Sequence, residues 1–551
     1  MDNQRLILLL VFSFSVVMLW DAWQKQEQPT PAPTAAVATQ GAVSPGAIPT
    51  PTPTPTPIAA PTGLPATVSP QLAAPAVAKA VVKTDLFNAE ISAEGGSLVR
   101  LELTQHRATG DPSKNFVLFH NDGKEFYEAQ SGLIGKDLPN HKTTYQLAAN
   151  DYQLKDGRDS LEVRLVAPPV DGIQVAKTYT FHRGSYLIDV GYEIVNGGTV
   201  PISPSAYFQS VRDGSAPEGD PKMTKASFNG GAVYTEHDKY QKFTYEDIAK
   251  GSDKHAQKAD NGWIAVVQHY FVSAWLPQGT VEREFFARKL ADNLYGLGVI
   301  VPVATIAPGA TGKVMVPLYA GPQEQEKLAK IAPGLNLVVD YGWLTIIAAP
   351  LFWVLEQIHR WVGNWGWAII GLTVLLKLIF FPLSAASYKS MAKMKLVTPK
   401  MAKLKEQYGD DRARLNQEMM ELYKREKINP LGGCLPIVVQ IPVFISLYWV
   451  LLSTVEMRYA PWLGWIHDLS ARDPYFILPL IMGATMLVQQ RLNPAPPDPI
   501  QAKVMMFMPI VFTAMFMFSP AGLVLYWTVN NMLSIAQQWQ ITRLIKAGAK
   551  K

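Results

Sequence analysis

The sequence predicts a polytopic α-helical membrane protein, six transmembrane helices with five of them in a C-terminal core, that carries a large β-sandwich domain. Three observations predict it. Of 551 residues, 48% are hydrophobic and only 17% charged, below the roughly 25% charge of ordinary soluble domains. Apolar segments arrive in series beyond residue 340, and alternating strand patterns fill 82–325. The single cysteine, Cys434, excludes an intramolecular disulfide and a Cys-based zinc or Fe–S site. No finger spacing or basic heptad region points to DNA.

The N-terminus, 1–27, places a mostly apolar run (6–20) behind the short charged start MDNQR. Asp21, Trp23 and Gln24 follow where a cleavage site needs small residues, which favours an uncleaved anchor over a signal peptide. Trp20 and Trp23 suit a membrane interface. Residues 28–81 hold PTPAPT and IPTPTPTPTP with almost no charge, the composition of an extended, semi-rigid tether.

From 82 to 325 the chain reads as soluble and β-rich. In 173–181, Ile173, Val175, Lys177, Tyr179 and Phe181 alternate; after a turn at His182, Arg183 and Gly184, Tyr186, Ile188, Val190, Tyr192 and Ile194 do the same. Period-two patterning on both sides of a tight turn predicts a hairpin with one buried face. GGSLVRLELT, DSLEVRLVAP, GWIAVVQHYFVSAWLP and GKVMVPLYAG add strands between Gly, Pro, Asn and Asp turns, which together predict a sandwich.

Residues 340–364 are amphipathic and tryptophan-rich, with Glu356, His359 and Arg360, and read as a helix lying on the membrane interface. Spans are expected at 365–384, 435–455, 475–490, 504–518 and 522–540, within a core of 365–545. The third and fourth of these reach only about 21–24 Å, short of a hydrocarbon core of about 30 Å, and so predict locally thinned lipid.

Basic residues set the orientation. The loop 387–430 carries eleven (Lys389, Lys393, Lys395, Lys400, Lys403, Lys405, Arg412, Arg414, Lys424, Arg425, Lys427), and the tail carries Arg543, Lys546, Lys550 and Lys551 without an acid. Both are expected in the cytoplasm. The acidic-leaning loop 456–474 and the β domain are expected outside, and the N-terminus inside.

Within the cytoplasmic loop, Met391, Met394, Met401 and Met419 recur at helical spacing with lysines such as Lys403 between them. Asp411 is expected to cap the second helix of a hairpin. Such a surface suits varied apolar partners, phospholipid head groups or ribosomal RNA; methionines packed only against one another are the alternative. Pro436 and Pro442 predict a kinked span, with Gln440 between them. The last span holds Thr528, Asn530, Asn531, Ser534, Gln537 and Gln538, which hydrocarbon would not accept, so they face helices or water.

Lys377, in GLTVLLKLIFFPLS, sits in an apolar stretch where a charge costs roughly 2.5–3.5 kcal/mol. Thr373 precedes it by one turn, on the same face. Such a lysine either snorkels to the cytoplasmic edge near Ser384 or floors a wet groove. No H-E-x-x-H, G-x-S-x-G or P-loop occurs, and acids are almost absent from the spans, so neither a known catalytic motif nor a usual proton carrier is found. A channel or transporter, or a membrane-anchored carbohydrate-binding protein, are the rival readings. In the β domain, His182 and Glu193 can be imagined as an acid/base pair of a sugar-binding sandwich, and surface or core roles fit them better.

FFPLSAASYKSMAKMK, GDDRARLNQEMMELYK, INPLGGCLPIVVQIPVF, WIHDLSARDPYFILP and FMPIVFTAMFMFSPAGLVLYW together resemble the YidC/Oxa/Alb family of membrane protein insertases, in its Gram-negative form. The resemblance spans nearly the whole chain and is most specific from about 340 to 540. It implies a five-span insertase core enclosing a hydrophilic groove open to the cytoplasm and the lipid, a periplasmic β domain, and a place in the bacterial inner membrane. It puts Lys377 where many members carry arginine, and Thr373 at a groove threonine. Tyr526 and Trp527 stand where a tyrosine pair often occurs, the tryptophan departing from that pattern. The implied function is insertion and folding of inner-membrane proteins, with or without the Sec translocon, without enzymatic catalysis or a cofactor. The implied partners are nascent integral membrane proteins, the Sec translocon with its SecDF accessory, the ribosome and signal-recognition receptor, and the phospholipid bilayer.

Overall fold

The hairpin read from the sequence organises one of two facing sheets. In the computed structural model, strands Ile173–His182 and Leu187–Asn196 pair antiparallel, with Ile188 opposite Phe181 and Ile194 opposite Val175. Gly184, at φ +68°, makes the turn that a side chain would strain. The structure describes residues 77–109, 111–121, 123, 125–217, 228–409, 411–426, 435–493 and 499–548. The expected anchor at 1–27, the linker up to 76, and Cys434 lie outside the described residues. All described residues belong to one unit, Ser44–Lys551.

Among them, the strands form a ten-stranded and a nine-stranded sheet, antiparallel except for Lys79–Lys83 against Asp151–Gln153. The first strand starts inside the stretch read as linker, because Ala80 and Val82 are apolar at period two and both are buried. The stretch 262–277 is two strands, Trp263–Gln268 and Phe271–Trp275, hinged at Tyr270 with φ +69°. Side chains from both sheets, Leu101, Phe119 and Phe208 with Phe181, Val190 and Trp275 among them, share one core. Alternation also drives Lys177 inward. Its Nζ donates to the Gly95 carbonyl at 3.0 Å and sits over the Tyr179 and Tyr192 rings, and burial pushes its pKa well below the ordinary lysine value.

Ten helices are described. α1 (Tyr245–Lys250) and α2 (Gln325–Ile331) belong to the β domain. α3 (Thr345–Val362) buries Ala348, Phe352 and Leu355 and leaves Trp353 and Trp361 exposed, Trp361 at 91%. This is the two-faced helix expected at 340–364. Gly363, at φ +68°, ends it, and Asn364 Oδ1 accepts from Trp367 N to start α4 (Trp365–Ile379).

The expected span 365–384 is not one helix. α4 stops at Phe380, and α5 (Phe381–Tyr408) leaves at a bend of 67°. Pro382 explains the break, since its ring clashes with the carbonyl four residues back and it lacks the N–H to continue the ladder. Lys377 consequently lies in the last turn of α4, not seven residues inside a straight span.

α6 (Arg412–Arg425) returns along α5, and the Asp411 side chain accepts from Arg414 N as its cap. Val397, Met401 and Leu422 are the buried centre of this hairpin, with Met394 and Met419 packed against them. Lys400 pairs with Glu426 at 2.7 Å across it. Then come α7 (Leu435–Ser453), α8 (Ile477–Leu492), α9 (Pro499–Phe516) and α10 (Ala521–Gly548). Pro436 falls in the first turn of α7, where a missing N–H breaks no bond, so Pro442 is the interior proline. Among the described residues, no single helix is long and apolar enough to cross a membrane, while the bent α4–α5 pair meets that test.

The turn after α7 joins the helices to the β domain. Arg458 Nη2 donates to Thr109 Oγ1 at 2.9 Å, and its guanidinium lies 5.2–5.8 Å from the rings of Phe116, Tyr270, Phe271 and Tyr459. Tyr459 Oη donates to the Ala108 carbonyl at 2.6 Å, and His269 Nε2 bonds the Leu452 carbonyl at 3.0 Å. Beside them Glu456 is half-buried, and its Oε2, shut off from solvent, has no hydrogen-bond partner.

Candidate functional site

A cavity of about 430 Å³ lies between α4, α5, α7, α8, α9 and α10. Helix spacing builds it. On α10, Tyr526, Asn530, Ser534 and Gln538 recur every four residues, so they share a face. All four are buried. On α5, Ser384, Ser387, Tyr388 and Met391 recur at three and four residues, and all four line the cavity.

Hydrogen bonds fix the polar wall. Lys377 Nζ donates to Ser534 Oγ at 2.7 Å, and Ser534 Oγ donates to the Asn530 carbonyl at 2.7 Å. Gln440 Nε2 donates to Asn530 Oδ1 at 2.6 Å and also bonds the Tyr526 hydroxyl. Asn531 and Gln538 reach to α8 and its C-terminal cap, bonding Thr485 at 3.3 Å and Asn493 at 2.9 Å. Pro442 opens the ladder of α7, and Ser446 Oγ donates to the Pro442 carbonyl at 2.7 Å.

Among the expected groove residues, Lys377, Gln440, Trp527 and Asn530 line the cavity together. Thr373 does not. It is buried one turn away and donates to the Ile369 carbonyl at 2.7 Å. Tyr526 is also buried behind the wall, stacked near Phe444 and hydrogen-bonded to Gln440. Of the expected hairpin contacts, Met391 lines the cavity, Lys403 is exposed, and Met394, Met401 and Met419 turn into the hairpin's own core, leaving Met420 as an exposed methionine. Sequence reasoning missed the α5 wall. The serines of SAASY at spacing three were its available signal.

Among the described residues, the cavity wall carries one ammonium and several amides and hydroxyls, with no carboxylate and no paired acid and base. It can solvate a polar chain segment and attract an acidic one. In the β domain, His182 bonds Asp189 at 2.8 Å, whereas Glu193 pairs with Arg164 and Lys313 at 2.7 and 3.1 Å, so His182 and Glu193 are not partners. Among the described residues, no group of three or more His, Cys, Asp or Glu is placed to hold a metal.

Comparison with known proteins agrees with this architecture. Residues 79–354 match the family described as YidC periplasmic domain, and residues 357–549 match the 60Kd inner membrane protein family. The membrane protein insertase YidC of Aromatoleum aromaticum is 63% identical, with all of both chains covered. That of Dechloromonas aromatica is 59% identical over all of this chain and 99% of the relative. Among solved structures, an active YidC insertase covers 84% of this chain and 94% of its own at 18% identity and a TM-score of 0.39. A galactose mutarotase-like protein from Lactobacillus casei covers 44% of this chain and 99% of its own at 10% identity and a TM-score of 0.30. The β-rich domain and the helical part therefore define a bacterial inner-membrane protein with a periplasmic domain. The chain belongs to the YidC family.

Proposed function

We propose that this protein inserts and folds integral inner-membrane proteins, using the cavity around Lys377 as a polar groove. The carrying observation is a buried ammonium facing hydroxyls and amides, with no carboxylate among the described residues of the cavity wall. An entering segment's acidic flank lowers its desolvation cost against that charge, while its apolar part moves along α4 and α7 into lipid. The relatives' name, membrane protein insertase, supports the same reading.

In this proposal the chain crosses the membrane six times. The N-terminal segment 1–27 is the first span, the tether runs from 28 to the first strand at Lys79, the periplasmic domain follows to 325, and 365–545 is the five-span core. Both termini are cytoplasmic. α3 lies on the periplasmic interface, its exposed tryptophans supporting that place. The hairpin within 387–430 meets substrate, ribosome and targeting receptor through its basic outer face, with Lys403, Met391 and Met420 accessible to them. The Sec translocon and SecDF are its membrane partners.

The test is depletion of the protein followed by protease protection of a small inner-membrane substrate, complemented with Lys377→Ala, Lys377→Asp and Lys377→Arg. Arginine keeps the charge and is expected to retain most insertion; alanine loses much of it and aspartate nearly all. Normal insertion after depletion refutes the function. Equal activity in all three variants refutes the role of the charge.

A further inference from the structure

Ser534 stands where the charged helix end, the root of the hairpin and the last helix meet. Lys377 Nζ donates to it at 2.7 Å, and the Tyr388 hydroxyl also interacts with it. A serine hydroxyl has one proton and two lone pairs. Ser534 gives its proton to the Asn530 carbonyl one turn back, at 2.7 Å. That bond fixes the hydroxyl on α10 and leaves its oxygen only to accept. It cannot donate to an incoming carboxylate, so its work in the cavity is done on the ammonium.

The ammonium needs such a hold. It ends a flexible four-carbon stem, inside a cavity of about 430 Å³ that offers Ser384, Ser387 and Asn530 as other acceptors. Without a fixed acceptor, the charge spreads over several rotamers. We propose that Ser534 is a positioning residue for Lys377, holding its ammonium against α10 beside Asn530 so that its remaining N–H groups face the cavity. This rests on the groove reading above. Ser534 does not itself bind the passing chain; it sets where the charge that attracts an acidic flank is found.

The test uses the full-length protein in proteoliposomes with Ser534→Ala, Ser534→Thr and Ser534→Cys. Two substrates differ only in whether the translocated tail is acidic or neutral. Ser534→Ala is expected to slow insertion of the acidic-tailed substrate by about fivefold to tenfold, the net worth of one ordinary hydrogen bond, because the freed ammonium finds other acceptors, and to leave the neutral one unchanged. Threonine keeps the hydroxyl and restores the rate. Cysteine keeps the shape with a weak acceptor and falls near alanine, which separates the hydrogen bond from packing. Labelling of Lys377 by a water-soluble amine reagent, read by mass spectrometry, is expected to rise in the alanine and cysteine variants alone. Equal slowing of both tails, or labelling that does not distinguish threonine from alanine, overturns the proposal. If the wild-type protein inserts neither substrate, the groove reading fails, and the labelling comparison still decides whether Ser534 positions Lys377.

Discussion

Glu456 offers a pH-dependent test of how the β domain is joined to the helices. The carboxyl is buried in the turn after α7, facing Glu324 and Glu356 with Lys327 as a countercharge, and its Oε2 has no partner. Burial first, then the two carboxylates, raises its pKa from 4.5 to about 8. The folded junction therefore holds a proton that the opened chain releases above pH 4.5. The stability contributed by Glu456 is greatest below that pH and falls as pH rises towards 8. At pH 7 the loss is 7 minus 4.5, or 2.5 pH units, at about 1.36 kcal/mol each, hence about 3 kcal/mol. Glu356, raised by its own partial burial, adds in the same direction. His106 and His269, held at about 4 by burial, with Arg458 lowering them further, work the other way, since they take up protons on opening below pH 6.5; wild type and variant both carry them, so comparing the two removes their effect. Glu456→Gln removes the titration. It is expected to protect the amides of 452–460 from hydrogen exchange by about 3 kcal/mol more than wild type at pH 7, and by little at pH 4.5. Comparison of the two proteins at each pH cancels the intrinsic exchange rate. A variant that keeps the wild-type pH slope refutes the reasoning.

Two further outcomes concern packing. Arg458→Ala removes a guanidinium held by four rings and by Thr109, and is expected to cost about 2–4 kcal/mol in local opening at 106–109 and 455–460; Arg458→Lys recovers only part, having no planar face to stack. Gly483→Ala places a methyl against Thr513 Oγ1 where α8 meets α9, so the melting temperature in detergent should fall by an amount worth about 1–3 kcal/mol. Adding Thr513→Ala should restore most of it, and additive losses would show that the two sites do not touch.

Much of the molecule was legible because its signals are periodic. Alternation in 173–194 determined both the hairpin and its buried face. The amides of α10 predicted that its polar face packs inward, as buried Asn530, Asn531 and Gln538 do, and Asp411 marked the start of α6. The bend at Phe380 was written in Pro382, yet the apolar run across it reads as one span, since hydropathy carries no direction. Thr373 shows the limit of face arguments. Same-face spacing placed it with Lys377, but its hydroxyl closes onto its own helix.

The sequence by itself determined the order of the parts, the sidedness expected from lysine and arginine, and the presence of one ammonium in an apolar helix. These follow from local composition and period. Only the tertiary structure decided that Lys377 meets Ser534, 157 residues away, that Met401 turns inward while Met420 stays out, and that Arg458 enters an aromatic cage on the β domain. Each depends on which helix faces approach one another, and packing of distant segments sets that, not the pattern within any one of them.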